Sequence, residues 1–199
     1  MFLFIETIQV KNGTFPLLHL HEQRLNQTRA TFWSNTSPIN LLDYLLIPMD
    51  WKTGTHKCRV TFGKDIQKIE FETYAIRPIR TVQLVDASHI DYSYKYADRA
   101  NLNELFEQRG DSDDILMTKD GEITDSWYCN TAFSTGTHWY TPQRPMLAGV
   151  RRRHSLETNQ MSERVIHAED LNQYTHFCLF NAMIAFGEII LPTTAINQG

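Results

Sequence analysis

Ile115-Leu116-Met117-Thr118-Lys119-Asp120-Gly121-Glu122-Ile123-Thr124-Asp125 reads as two short strands joined by a tight turn. Asp-Gly supplies the positive φ angles that close a hairpin between apolar runs. Working outward toward the carboxy terminus, strand signals follow at 130–134 and 137–140, and Thr141-Pro142 closes the last of them. Gly149 then precedes a helix beginning near Val150, and apolar strands are predicted up to Phe180 and over 189–191. Toward the amino terminus, 97–108 carries Leu102, Leu105 and Phe106 on one helical side and is broken at Gly110, while 82–85 is strand-like. Residues 2–10 are rich in β-branched and aromatic types. The Asn-Gly turn in Lys11-Asn12-Gly13-Thr14 predicts that they pair with Phe15-Pro16-Leu17-Leu18. Leu20, Leu25 and Ala30 then shift to a helical period ending near 32 or 33. A second helix is predicted from Ser37-Pro38, with Leu41, Leu42, Leu45 and Leu46 on one face, followed by strands over 56–63 and 67–76. This order predicts an α+β fold with mainly antiparallel pairing. The charged, proline-bearing Ile76-Arg77-Pro78-Ile79-Arg80 marks the junction between a small domain, 1–78, and a larger one, 79–199.

A chain of 199 residues and 23.2 kDa can bury a substantial core as one large or two small domains. Its net charge of -4 and pI near 6.0 leave no electrostatic footprint for nucleic acid. The local run Arg151-Arg152-Arg153 has two readings, a solvated helix start or an anion site. The longest apolar stretch, 177–191, is interrupted by Asn181, Gly187 and Glu188, so it falls short of the ~20 residues a membrane span requires. The amino terminus has no basic region and no cleavage-site pattern, and a cytoplasmic protein is expected. Cys58, Cys129 and Cys178 lie far apart, without the close pairs of a zinc or redox motif; they are expected to be reduced core residues, and no metal is expected.

Lys95 stands among aromatic and short polar neighbours in Asp91-Tyr92-Ser93-Tyr94-Lys95-Tyr96-Ala97-Asp98-Arg99, thirty residues before Asp125. A lysine and a lone carboxylate beside structural elements suit pyridoxal phosphate chemistry. The lysine forms a Schiff base with the cofactor aldehyde, and the carboxylate keeps the pyridine nitrogen protonated. The competing readings are a surface lysine at a strand end and a turn-capping aspartate. Arg24 is either a solvated helix arginine or a phosphate clamp, since a guanidinium fork matches a phosphate dianion. The amides of Val150 and Arg151, opening a helix after Gly149, present unpaired donors suited to the same phosphate. Arg59 alternates with Cys58 and Val60 on a strand, either as a carboxylate binder or on an exposed face. Tyr92, Tyr94 and Tyr96 either line a pocket or pack an interface. Asn130 and Asn181 compete with roles in satisfying backbone groups.

Several ordered motifs resemble the fold type IV pyridoxal phosphate enzymes, the class IV aminotransferase family, and within it the aminodeoxychorismate lyases. Phe4-Ile5-Glu6-Thr7-Ile8-Gln9-Val10 is similar to the family's Phe-Glu-Thr-Ile-Arg-Val strand, and His21-Glu22-Gln23-Arg24-Leu25 to its His-x-x-Arg-Leu helix. Lys95 with Arg99 resembles a Lys-x-x-x-Arg pattern. Gly121-Glu122-Ile123-Thr124-Asp125 with Asn130 resembles Gly-x-Val-Thr-Glu-x-x-x-x-Asn. Thr141-Pro142, Leu147-Ala148-Gly149-Val150-Arg151-Arg152 and Phe180-Asn181-Ala182-Met183 are similar to later family segments. The resemblance implies a D-amino acid aminotransferase-like fold, with an N-terminal α/β sandwich and a C-terminal β-barrel-like domain with helices. It implies Lys95 as the Schiff-base lysine and Arg24, Asp125, Val150, Arg151, Asn181 and Ala182 around pyridoxal 5'-phosphate. Arg59, Arg99 and Tyr92 are expected around a small amino-acid-like substrate.

The implied reaction is the lyase conversion of 4-amino-4-deoxychorismate to 4-aminobenzoate and pyruvate, in a homodimer. The alternatives are a branched-chain or D-amino acid aminotransferase of the same fold, or a degenerate cofactor-binding paralogue. Three departures from the family pattern stand out. The chain begins at the first family strand without a preceding Gly-Asp-Gly loop, so part of the substrate entrance is expected to be built differently or supplied by a partner subunit. Asp125 replaces glutamate, and Arg151 stands where transaminases often place threonine.

Overall fold

In the computed structural model, which describes residues 2–198, the chain forms two compact units. One is the chain up to Ala75 together with Tyr94–Asp98; the other is Ile76–Ser93 together with the chain from Arg99 onward. A single cut at residue 78 therefore does not separate them, because Tyr94–Asp98 returns to the first unit. It does so by backbone pairing: Ile5 N–H donates to the Lys95 carbonyl at 2.9 Å, and Ala97 N–H to the Leu3 carbonyl at 2.8 Å.

The first unit holds β1 (Phe4–Lys11), α1 (Leu18–Phe32), β2 (Thr55–Phe62) and β3 (Ile66–Thr73), with the strands in the order β1-β2-β3 and antiparallel throughout. Alternation along the strands places Phe4, Ile8, Val10, Cys58, Val60 and Phe62 in one core with Leu25 of α1. The Asn-Gly turn forms as the sequence predicts, with Asn12 at φ 47° and Gly13 at φ 74°. Its expected partner strand does not form. Phe15 to Leu17 runs directly into α1, and β1 pairs instead with β2 on one edge and with Tyr94–Asp98 on the other. The second predicted helix is reduced to a 3-10 turn, Leu41–Asp43. Of its four leucines only Leu41 and Leu45 reach the core, while Leu42 and Leu46 are 61% and 81% exposed, so no continuous apolar stripe rewards a longer helix.

The second unit contains two sheets. Strands β4 (Val82–Asp86), β5 (Asp114–Lys119) and β6 (Glu122–Ser126) join β12 (Ile196–Asn197) in the order β12-β4-β5-β6. Strands β7 (Asn130–Ser134), β8 (Trp139–Pro142), β9 (Ser162–Arg164), β10 (His176–Phe180) and β11 (Ile189–Pro192) form the order β11-β10-β7-β8-β9. The β5-β6 hairpin turns as predicted, with Asp120 at φ 52° and Gly121 at φ 78°. The helices are α2 (Ala100–Phe106) and α3 (Val150–Glu157). Helix α2 starts later than predicted, because residues 94–98 are hydrogen-bonded to β1 and the chain just before it. It ends in a 3-10 turn, Glu107–Arg109, before Gly110 at φ 58°. The result is a mixed α+β protein with extensive sheet and few helices. Cys58, Cys129 and Cys178 are buried free thiols, as expected, and burial pushes the Cys58 thiol up to about 12. No helix among the described residues is long and apolar enough to cross a membrane.

Candidate active site

In the first unit, Glu6 shares the inward register of β1 with Phe4, Ile8 and Val10, and only 1% of its surface is exposed. Its carboxylate is gripped from α1. Arg24 donates through Nε to Oε1 at 2.8 Å and through Nη2 to Oε2 at 2.6 Å, a two-point fork, and His21 Nδ1 lies 2.6 Å from Oε2. Burial alone would raise the Glu6 pKa. The Arg24 charge and the hydrogen bonds from His21 and Arg24 outweigh it and hold the carboxyl at about 2. An ionised carboxylate only accepts, so His21 Nδ1 carries the hydrogen. Burial lowers the His21 pKa; the Glu6 hydrogen bond and charge oppose this, while the charges of Arg24 and Lys95 add to it. His21 is therefore the neutral member of a cluster that contains Glu6, Arg24 and, within electrostatic reach, Lys95.

Lys95 is half-buried, and its backbone is fixed on the edge of β1. Its two neighbours are the anchors. Tyr96 lies 5.1 Å from Phe4 between ring centroids, and Tyr94 lies 4.9 Å from Phe32 in an edge contact. The tyrosine repeat around Lys95 thus serves core packing at Tyr94 and Tyr96. Tyr92 packs instead on the core of the second unit, with Ile90, Leu102 and Ile115. Arg59 stands between the buried Cys58 and Val60, in register with Thr7 and Glu70. That places it on the sheet face opposite to α1, so the structure does not bring Arg59 and the Glu6–Arg24 pair to the same face.

In the second unit, Asp125 is buried at the end of β6. Its Oδ1 accepts from Asn130 Nδ2 at 2.9 Å and its Oδ2 from the Leu147 amide at 2.9 Å, and Asn130 Nδ2 also donates to the Leu147 carbonyl at 2.9 Å. Burial pushes the Asp125 carboxyl up to about 6. The hydrogen bonds from Asn130 and Leu147, the Arg152 charge and the Met146 amide oppose the rise without cancelling it. The same knot explains Gly149. Its φ of -72° needs no glycine, but a Cβ there would sit 1.9 Å from Asn130 Oδ1, so only glycine lets α3 begin against Asn130. No side chain caps α3. The first-turn amides, including those of Val150 and Arg151, have no acceptor within their own helix and constitute an anion-suited end.

The three consecutive arginines have separate fates. Arg151 donates through Nε to the Asn181 carbonyl at 3.4 Å and through Nη2 to the Ala182 carbonyl at 3.1 Å. Arg152 is buried, bonded to Glu163 Oε1 at 2.6 Å and to the Pro142 carbonyl at 2.8 Å. Arg153 pairs with Glu157 on the exposed side. Asn181 folds its own turn: Oδ1 accepts from the amides of Met183 and Ile184. Arg99 stacks over Trp127 at 4.8 Å and donates to the Trp127 carbonyl at 2.5 Å. Glu6 and His21 carry no role in the sequence reading, although the inward register of Glu6 on a half-buried strand is a readable signal.

The folded carboxyl of Asp125 binds its proton more tightly than the ordinary 3.8, so stability present below about pH 4 is lost as the pH rises through about 6. Asp125→Asn removes that loss. The cofactor-free variant is expected to show a flatter melting temperature between about pH 4 and 6 than the parent, and an unchanged slope would contradict the assignment.

Residues 71–189 match the family described as Amino-transferase class IV, and the chain belongs to that family, whose enzymes depend on pyridoxal phosphate. An uncharacterized protein of Haemophilus influenzae is 31% identical over 185 residues, covering 92% of this chain and 98% of that protein. A crystal structure from Haemophilus somnus, provisionally assigned as a 4-amino-4-deoxychorismate lyase, superposes with a TM-score of 0.87 at 30% identity, covering 93% of this chain and 98% of that one. A hypothetical aminotransferase from Mycobacterium tuberculosis, solved in a PLP-bound form, shares the fold with a TM-score of 0.76 at 14% identity, covering 92% of this chain and 78% of that one. Each unit carries groups that suit such a cofactor: the first has the Lys95 amine and a guanidinium fixed by Glu6, and the second has a helix start without a side-chain cap and a buried carboxylate.

Proposed function

We propose that this chain is a pyridoxal-phosphate-dependent lyase that converts 4-amino-4-deoxychorismate to 4-aminobenzoate and pyruvate. The observation that carries the choice of reaction is the 30% identity, over nearly the full length of both chains, to the Haemophilus somnus protein. The cofactor, when bound, supplies an electron sink beside the substrate's amino group. Lys95 would be the amine that holds it and the base that moves protons on the substrate. Arg24 and the Val150 and Arg151 amides take the phosphate. Asp125, one methylene shorter than glutamate, is the carboxylate for the ring nitrogen, held in place by Asn130 and the Leu147 amide. Arg59 lies on the sheet face opposite to the Glu6–Arg24 pair, and Arg99, stacked over Trp127, is the arginine assigned to a substrate carboxylate, on the resemblance alone. We propose the homodimer on the resemblance alone.

In the reaction a proton leaves the ring carbon bearing the amine, the bond from ring carbon to ether oxygen breaks, and the departing enolpyruvyl group gains a proton to become pyruvate. The test supplies 4-amino-4-deoxychorismate to the cofactor-loaded protein and measures both products. Equimolar 4-aminobenzoate and pyruvate are expected. Glutamate accumulating from an amino acid and 2-oxoglutarate, with no 4-aminobenzoate, would replace the lyase by a transaminase. Cofactor binding with neither activity would point to the degenerate paralogue.

A further inference from the structure

Glu6 is the most completely buried charged side chain of the first unit's core, and nothing in the proposed reaction uses it. A buried carboxylate is costly unless paired, so its position calls for a reason. Two of the five N–H donors of Arg24, at Nε and Nη2, are committed to its two oxygens at 2.8 and 2.6 Å. A guanidinium is planar and rigid, so fixing one edge of the fork fixes the orientation of the whole group. His21, 1% exposed, locks the carboxylate from the other side through Nδ1. Arg24 itself is 17% exposed, so the clamp sits beneath a partly accessible cation.

We infer that Glu6, braced by His21, is a positioning residue that aims the Arg24 guanidinium at the phosphate of the cofactor. This rests on the pyridoxal phosphate reading and deepens it. Glu6 touches no cofactor atom in this account; it acts through Arg24. Without the clamp a flexible arginine would have to be ordered by the phosphate itself, at a cost in affinity. The effect is confined to ligands that carry the phosphate.

The experiment compares dissociation constants for pyridoxal phosphate and for pyridoxal, which has the aldehyde and ring but no phosphate, in the full chain with and without Glu6→Gln. Binding is read by equilibrium dialysis and protein absorbance, independently of turnover. The expected result is a rise of about tenfold or more in the dissociation constant for pyridoxal phosphate, the scale of a charged hydrogen bond, with that for pyridoxal changed less than about twofold. In an Arg24→Met background, Glu6→Gln should add no further loss, because the residue it serves is gone. Should Glu6→Gln not fold, Glu6→Asp keeps the charge and withdraws it by one methylene, and the same selective loss is expected. An unchanged ratio between the two ligands, or an equal additional loss in the Arg24→Met background, overturns the positioning role. Failure of the unmodified protein to bind pyridoxal phosphate at all is a different result, and it strikes the cofactor reading instead.

Discussion

Lys95→Ala is expected to abolish covalent attachment of pyridoxal phosphate and to lower kcat by about 10²–10⁴-fold, the range associated with removing a positioned acid–base group. The expectation follows from how the lysine is held. Its carbonyl is bonded to the Ile5 amide, its neighbours Tyr94 and Tyr96 are packed into the core beside Phe4 and Phe32, and its charge is felt by the buried His21. The anchors are backbone groups and neighbouring rings, so alanine should leave the fold in place. Absorbance spectra in the visible range and steady-state kinetics read the loss, and circular dichroism should be unchanged. A variant that retains both the absorbance band and the rate would remove Lys95 from the site.

Arg24→Met is expected to destabilise the cofactor-free protein by about 3–5 kcal/mol, because it strands the buried Glu6 carboxylate with His21 as its remaining clamp. Against a typical total of about 5–15 kcal/mol that is a large share, and urea denaturation at pH 7 measures it as a lower midpoint. Adding Glu6→Gln to Arg24→Met removes the stranded charge and should recover most of the loss. The same pair sets an acid limb. The folded Glu6 carboxyl at about 2 binds its proton more weakly than the ordinary 4.5, so its contribution is complete above about pH 4.5 and fades as the pH falls toward 2. Arg24→Met should shift that limb upward, toward the ordinary carboxylate range.

The tight turns were legible because their chemistry is local. Asn12-Gly13 and Asp120-Gly121 each need two consecutive positive φ angles, and both adopt them. A turn does not say which strand the chain will pair with next, and that is why Phe15 to Leu17 did not return along β1: both its edges were taken by segments more than forty residues away. The leucine run at 41–46 has the right period for a helix, yet period cannot reveal that the core has room for only Leu41 and Leu45. Strands β9 and β12 are too short and polar to carry an alternation. Among the candidate residues, Lys95, Arg24 and Asp125 were visible as residue types in a family-like order. Their supports were not. The Leu147 amide that fixes Asp125 lies 22 residues on, and Gly149 is required by the Asn130 side chain rather than by its own backbone angles. Glu6 was readable in principle, since an acidic residue in the inward register of an apolar strand demands a buried partner.

The central claim is that one amine of this chain, that of Lys95, holds pyridoxal phosphate. Its most direct test is to load the protein with the cofactor, reduce with borohydride, digest and map the cofactor-derived mass by peptide sequencing. Modification confined to the peptide containing Lys95 is the expected result. Label on another lysine, or none on any peptide after loading, would contradict the account.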